Sequence, residues 1–259
     1  LLAWPSAIAP MSTVRKQFGI PRLDEMVGGG LLAGSTTMLL GASGSGKTPL
    51  GAAFLSEGAQ QGQPGLHFGF YETPSRLIGK TDQIGLDFGR QVAAGMIEVV
   101  WRPPVETTLD RLGHELLTAV SQRQVQRLFI DGLDGFQQAA FYTERLAPFL
   151  TALSNELRGR GITTIFTVET GELFDPTIAV PVSDVSAAVD NILVVRTVQR
   201  GARLHRLIAI MKMRASRYDT TMREFLLTDR GIEIAESLAS AEAILADPSP
   251  APPADPLPR

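Results

Sequence analysis

Eight consecutive residues constrain this chain more than any other feature. They are Gly41-Ala42-Ser43-Gly44-Ser45-Gly46-Lys47-Thr48, and they match G-x-x-x-x-G-K-[ST]. The motif follows the apolar run Thr36–Leu40 and precedes a helical stretch, so it demands a strand, a tight loop and a helix in that order. Its glycines let the backbone turn sharply and aim N–H groups at phosphate oxygens. The helix that follows presents its positive end to the same anion. Ser43, Gly44, Ser45, Gly46, Lys47 and Thr48 are therefore candidate ATP-binding residues. Lys47 is placed to reach the β- and γ-phosphates, and the Thr48 hydroxyl to hold Mg2+. Directly after Thr48 stands Pro49, which has no N–H and removes one donor from the first helical turn.

A second metal ligand is expected at the end of a neighbouring strand. Arg127-Leu128-Phe129-Ile130-Asp131 fits, and Asp131 is the candidate at the carboxyl edge of a parallel sheet. Asp134, in the same Asp-Gly-Leu-Asp-Gly run, is the weaker candidate and reads as a turn residue. Further short apolar runs at Leu66–Phe70, Ile97–Trp101 and Thr163–Val168 read as buried strands. Between them, Leu109, Leu112, Leu116 and Val120 share one helix face, and Leu146, Phe149, Leu150, Leu153 and Leu157 another. Alternation of this kind predicts an α/β fold, a mostly parallel sheet flanked by helices. After residue 189 the pattern changes. Asn191–Val198 and His205–Met213 predict an antiparallel hairpin, Arg223–Leu227 a further strand and Ala235–Ala246 a closing helix. The domain is read as residues 20–246, with 1–19 a linker or arm. The Pro-rich tail 247–259, with six prolines, is read as disordered.

Composition removes several alternatives. With no cysteines there is no disulfide scaffold, thiolate zinc site or cysteine nucleophile. His67, His114 and His205 are the three histidines, none near another in sequence, and they read as structural residues. A formal net charge of -3 makes no electrostatic case for nucleic acid. No apolar run approaches the roughly 18 to 20 residues of a membrane helix, and the opening LLAWPSAIAP does not read as a signal peptide. A cytoplasmic protein with no membrane partner is expected.

Several segments, in order, resemble the KaiC-like ATPases of the RecA superfamily. They are Gly19-Ile20-Pro21-Arg22-Leu23-Asp24, then Gly28-Gly29-Gly30-Leu31, the phosphate loop, Phe70-Tyr71-Glu72-Thr73-Pro74, Asp131, and Lys212-Met213-Arg214. The resemblance covers about residues 19–234. It implies a RecA-type core assembled as a homohexameric ring, with ATP between subunits. In that arrangement a neighbour supplies a Lys-x-Arg pair, matched here by Lys212 and Arg214, to the γ-phosphate, much as an arginine finger neutralises developing charge. The resemblance also places Ser216, Thr228 and Asp229 near the neighbour's nucleotide.

The departures bear on activity. The family carries two adjacent glutamates in the segment that reads Tyr71-Glu72 here, and assigns the first to activating the attacking water. Tyrosine, with an ordinary pKa near 10, is a poor base at neutral pH. Glu72 is the remaining candidate catalytic carboxylate, but adjacent residues on an extended strand point to opposite faces, so it does not automatically replace the missing base. Slow or absent hydrolysis is therefore expected. Where the clock proteins of the family autophosphorylate a Ser-Thr pair, this chain has Ser186-Ala187, so clock-type phosphorylation is not expected. The favoured function is a slow, ATP-binding ring ATPase with a nucleotide-gated regulatory or signalling role and unidentified protein partners. A RecA- or RadA-type DNA-dependent ATPase and a non-hydrolysing ATP-binding scaffold are the alternatives. DNA is disfavoured because residues 161–195 hold no Lys or Arg, whereas Glu169, Glu172, Asp175, Asp184 and Asp190 are acidic.

Overall fold

Two-residue strands at Arg15–Lys16 (β1) and Leu31–Leu32 (β2) pair antiparallel around the short helix α1, Pro21–Met26. The structure, a computed structural model, describes residues 12–103, 107–170 and 189–245. Ser186-Ala187, Glu172, Asp175, Asp184, Ala246, the Pro-rich tail and the first eleven residues of the arm lie outside the described residues.

Residues 15–19 were assigned to the arm from sequence, but they belong to the packed unit. Phe18 is buried with its ring 5.5 Å from that of Phe54, and Lys16 is buried beside it in sequence. The Asp24 carboxylate accepts the N–H groups of Phe18 (2.7 Å) and Gly19 (3.1 Å), which folds the GIPRLD segment onto itself. Burial pushes the Asp24 carboxyl up to about 6 in spite of those donors. Gly30, at φ 114°, lies so close to the Lys16 carbonyl that a Cβ there would meet its oxygen at 2.7 Å, so the glycine run is required by close approach.

The apolar runs form the sheet expected of them. Strands β3 (Thr36–Gly41), β4 (Gly65–Gly69), β5 (Ile97–Trp101), β6 (Arg127–Asp131), β7 (Thr163–Glu169) and β8 (Asn191–Arg200) are parallel, in the order β8-β3-β7-β6-β4-β5. The expected hairpin is present as β8 with β9 (Arg203–Met213). It extends the same sheet, followed antiparallel by β10 (Arg223–Thr228) and β11 (Gly231–Ile234). This is the mostly parallel, helix-flanked architecture of a RecA-like core.

Helices cover both faces, as buried parallel strands require. On one face α2 (Lys47–Gln60) packs on β4, β6 and β7 through Leu50, Phe54 and Leu55, near α3 (Pro74–Gln83) and α4 (Phe88–Ala93). On the other, α5 (Leu109–Gln122) and, past the short α6 (Asp134–Gln138), α7 (Leu146–Gly159) bury the two apolar stripes read from sequence. Phe149 is only partly buried, with its ring 5.6 Å from Phe136. The closing helix is α8, Leu238–Leu245.

At the amino end of β6, Arg127 is wholly buried over the Phe54 ring. It donates to the carbonyls of Gln17 (2.5 Å) and Phe54 (2.8 Å) and to the side chains of Gln63 (2.8 Å) and Gln61 (3.2 Å). Burial lowers its pKa to about 10, so it stays cationic at neutral pH, and Glu57 and Asp24 partly offset that burial. A single guanidinium thus joins the amino-terminal segment, α2 and the sheet. Arg127→Met should lower the unfolding free energy by about 2 to 5 kcal/mol, because the Gln17 and Phe54 carbonyls and the Gln61 and Gln63 side chains all lose a charged donor. Arg127→Lys should recover little, since an ammonium cannot reproduce the fork. Urea denaturation checks this, and an unchanged midpoint for Arg127→Met would show that the carbonyls are satisfied without it.

Candidate nucleotide site

The site follows from strand order. Strand β7 lies between β3 and β6, so the loop after Gly41 and the carboxylate of Asp131 are two strand spacings apart, roughly 10 Å, at the same edge. The helix that follows the loop closes this gap. Thr48, the second residue of α2, donates its hydroxyl to Asp131 Oδ2 at 2.8 Å. From the strand between, Thr167 donates to Asp131 Oδ1 at 2.9 Å and accepts the Gly132 N–H at 2.7 Å. Burial pushes the Asp131 carboxyl up, but the His67 imidazole and the hydroxyls of Thr48 and Thr167 outweigh it and hold it below the usual carboxylate range. Two hard oxygens, one of them ionised, therefore meet at one point, and such a pair fits a hard divalent cation.

Gly46 caps α2 in the left-handed region at φ 104°, with the Phe225 ring of β10 packed on it. A Cβ there would meet that ring at 2.6 Å. Ser43, Gly44, Gly46, Lys47, Thr48 and Pro49 line one cavity of about 660 Å3, while Ser45 is buried beneath the loop. Lys47 folds back so that Nζ donates to the carbonyls of Gly41 and Ala42, both at 2.7 Å. Burial lowers its pKa, and Glu169, Asp131 and Asp134 work against that burial. Pro49 is the third residue of α2, in the turn whose N–H groups have no intrahelical acceptor.

The Tyr71-Glu72 segment differs from the sequence expectation. Strand β4 ends at Gly69, and the chain then bends, with the Phe70 carbonyl accepting the Trp101 indole N–H at 3.1 Å. The alternation rule for strands does not reach these residues, and both line the cavity. Glu72 is ion-paired with Lys80 of α3. Tyr71 is 53% exposed, and its hydroxyl accepts from Gln138 at 3.1 Å. Burial, then Asp134 and Glu169, raise its pKa and keep it neutral.

The remaining candidates do not gather here. Lys212 lies on β9, but Arg214 lies just past the strand's end, where its N–H bonds the Asp190 carbonyl at 2.9 Å. Asn191 is in register with both Thr37 and Met213, whereas Val195 is level with Gly41. The basic pair therefore sits at the opposite edge of the sheet, at least roughly 13 Å from the chain's own loop. Burial and then Arg214 lower the Lys212 pKa, and Lys212 Nζ donates to the Val189 carbonyl at 3.0 Å. Ser216, near that edge, accepts from Arg15 at 3.1 Å. Thr228 and Asp229 are not with them. They form the β10–β11 turn, next to Leu227 on the wall of the chain's own cavity and against Gly85. Asp190, counted among the acidic residues that oppose DNA, is held by Arg158 at 2.8 Å and by the Thr36 N–H at 2.9 Å.

Sequence reasoning missed Thr167 and His67. His67 is buried, Nε2 stands 3.8 Å from Asp131 Oδ2, and neither ring nitrogen has a hydrogen-bond partner. A polar residue inside an otherwise apolar buried strand was the available signal for His67, whereas Thr167 is one of three threonines in β7 and carried none.

A family model described as "ATPase: KaiC" matches residues 16–239. Among curated proteins the chain is similar to the circadian clock oscillator protein KaiC of Thermostichus vulcanus, at 29% identity over 234 residues, 90% of this chain and 45% of that protein. It is likewise similar to KaiC of Prochlorococcus marinus (strain MIT 9313), at 28% over 233 residues, 90% of this chain and 46% of that one. KaiC of Synechococcus elongatus is 26% identical over 234 residues, 90% and 45%. The chain spans about half the length of the curated relatives it matches. With the match running through the phosphate loop, Asp131 and the basic pair, the chain belongs to the KaiC ATPase family.

Proposed function

We propose that this chain binds ATP with Mg2+ in the cavity under the phosphate loop and hydrolyses it slowly as a subunit of a ring, in a nucleotide-gated regulatory role. The observation that carries this is the junction of Thr48 and Asp131 beside Lys47 at one sheet edge. The Lys212/Arg214 pair, at the other edge, supports the ring, because it lies too far away to serve its own loop. Thr48 and Asp131 would hold Mg2+, which when bound neutralises phosphate oxygens. Lys47 exchanges the Gly41 and Ala42 carbonyls for the β- and γ-phosphates, and loop N–H groups cradle the rest. A neighbour's Lys212 and Arg214 meet the γ-phosphate, which suits a homohexamer. A neutral tyrosine at position 71 favours a second reading, a scaffold that binds ATP without turnover. Single-turnover phosphate release separates the two. The acidic Glu169 at the mouth and the net charge of -3 weigh against DNA.

Three outcomes test this. Lys47→Ala should weaken Mg·ATP binding by at least ~100-fold in calorimetry, and Asp131→Asn should remove the Mg2+ dependence. Parent-like affinity in Lys47→Ala would refute the site. ATP should drive assembly in sedimentation, because ligand bridging two subunits adds to the interface. Mixing Lys47→Ala with Arg214→Ala subunits should restore some complete sites, and a monomer at every ATP concentration would end the ring reading. Pro49→Thr restores a donor in the first turn and should tighten ATP about tenfold to a hundredfold without shifting the Tm of the nucleotide-free protein. Unchanged affinity would mean that this donor never faces the phosphates.

A further inference from the structure

Tyr71 stands where the family resemblance puts a glutamate, yet the cavity does not lack carboxylates. Asp134 opens α6, three residues beyond Asp131, and lines the same cavity as Lys47, Thr48 and Glu72. Its position is fixed through Tyr71. The tyrosine ring packs on Gly132, where a Cβ would meet it at 2.7 Å, and its hydroxyl accepts from Gln138 at the far end of α6. Tyr71 thus contacts the turn before the short helix and the helix's last residue, and the carboxylate missing from the β4 segment is supplied from the β6 segment next to it.

The other groups of the cavity are less suited to take a proton. Asp131 is committed to Thr48 and Thr167, Glu72 is ion-paired with Lys80, Tyr71 is neutral, and His67 is buried behind the Asp131 carboxylate, its Nε2 3.8 Å from Oδ2. Glu169 is exposed at the end of β7. Asp134 alone among them lines the cavity, is partly shielded from water, and has no hydrogen bond or ion pair to another side chain among the described contacts.

Resting on the ATPase reading above, we propose that Asp134 is the general base of hydrolysis. Its carboxylate takes the proton of the attacking water. The water oxygen bonds to the γ-phosphorus as the bond from that phosphorus to the β,γ-bridging oxygen breaks. The bridging oxygen leaves with its electron pair on ADP, and Asp134 then releases the proton to solvent. Burial, then Glu169, raise the Asp134 pKa, while Lys47 lowers it, so its basicity exceeds that of an ordinary aspartate. Lys47, Glu169 and Tyr71 are the titratable groups that act on it or on which it acts, and His67, Glu72, Lys80 and Asp131 share the cavity.

The test compares the parent with Asp134→Asn, and with Asp134→Ser in case the amide disturbs α6. Mg·ATP affinity is read by calorimetry, and phosphate release by single turnover from roughly pH 5 to 9. A base must be ionised, so parent turnover should fall as pH drops through its pKa. Asp134→Asn should bind Mg·ATP within about threefold of the parent or more tightly, lose at least ~100-fold in turnover and lose the acid limb. Glu169→Gln should move that limb to lower pH by removing a like charge. Tyr71→Glu should restore part of the turnover of Asp134→Asn. Turnover of Asp134→Asn and Asp134→Ser within about threefold of the parent, with the limb intact, overturns the proposal. So does a loss that follows Glu72→Gln instead, or a parent that binds ATP and releases no phosphate at any pH. A parent that does not bind Mg·ATP overturns this proposal and the site reading together.

Discussion

The Asp131 carboxylate ties the site to the sheet. A buried carboxylate is costly unless its oxygens are satisfied, and here each oxygen takes a hydroxyl from a different element, Thr48 of α2 and Thr167 of β7. Those bonds exist only because β7 lies between β3 and β6 and α2 starts directly over the gap. A one-residue slip of β7 would turn Thr167 to the other face and leave one carboxylate oxygen without a donor. The loop is buttressed from the far side as well, where Phe225 of the antiparallel extension presses on Gly46. Sheet register, loop conformation and the ionised state of Asp131 are therefore one connected arrangement.

The two edges of the sheet do different work. The carboxyl edge of the parallel strands holds the loop, Asp131 and the cavity. At the amino edge, Arg127 clamps Gln17 and Phe54, Asp190 ties Thr36 to Arg158, and Lys212 lies at the end of β9 with Arg214 just past it. On the proposed reading, one chain's amino edge completes another chain's carboxyl edge, which makes a head-to-tail contact of the kind that closes into rings.

Much of this was legible in the sequence because the signals were local or apolar. Arg127–Asp131 has the bounds expected, since a strand buried on both faces is a short apolar run ended by a polar or turn residue, and Ile97–Trp101 has them too although, as the edge strand, it is only half-buried. The loop needs only its own eight residues. What escaped was polar and non-local. Lys16 and Arg127 are charged, and residues of that type belong on the surface by default, so nothing local told of their burial. The strands β1 and β2 are two residues each and carry no periodicity. The sidedness of Tyr71 and Glu72 was misjudged because β4 stops at Gly69, and that end depends on Trp101 from another strand. Asp134 looked like a turn residue because Asp-Gly pairs usually mark turns, and only the fold puts it in the cavity with Lys47.

The charge balance of that cavity bears on assembly. Lys47 faces Asp131, Asp134 and Glu169, and the next cation, Lys80, is engaged by Glu72. A triphosphate brought to this surface adds several negative charges to a site already short of positive ones, and the first turn of α2 offers one N–H fewer because of Pro49. In a partly desolvated cleft such an excess is poorly screened, so an isolated chain should hold ATP weakly. Two sources of positive charge can correct the balance. One is the divalent cation that suits Thr48 and Asp131, and the other is a basic pair from outside the chain. Lys212 and Arg214, spaced two residues apart and coupled to each other, form such a pair. If they reach the γ-phosphate of a neighbouring chain, nucleotide affinity and subunit association reinforce each other by linkage. On the proposed reading, the shortage of positive charge within one cavity is what a neighbouring chain's basic pair makes good.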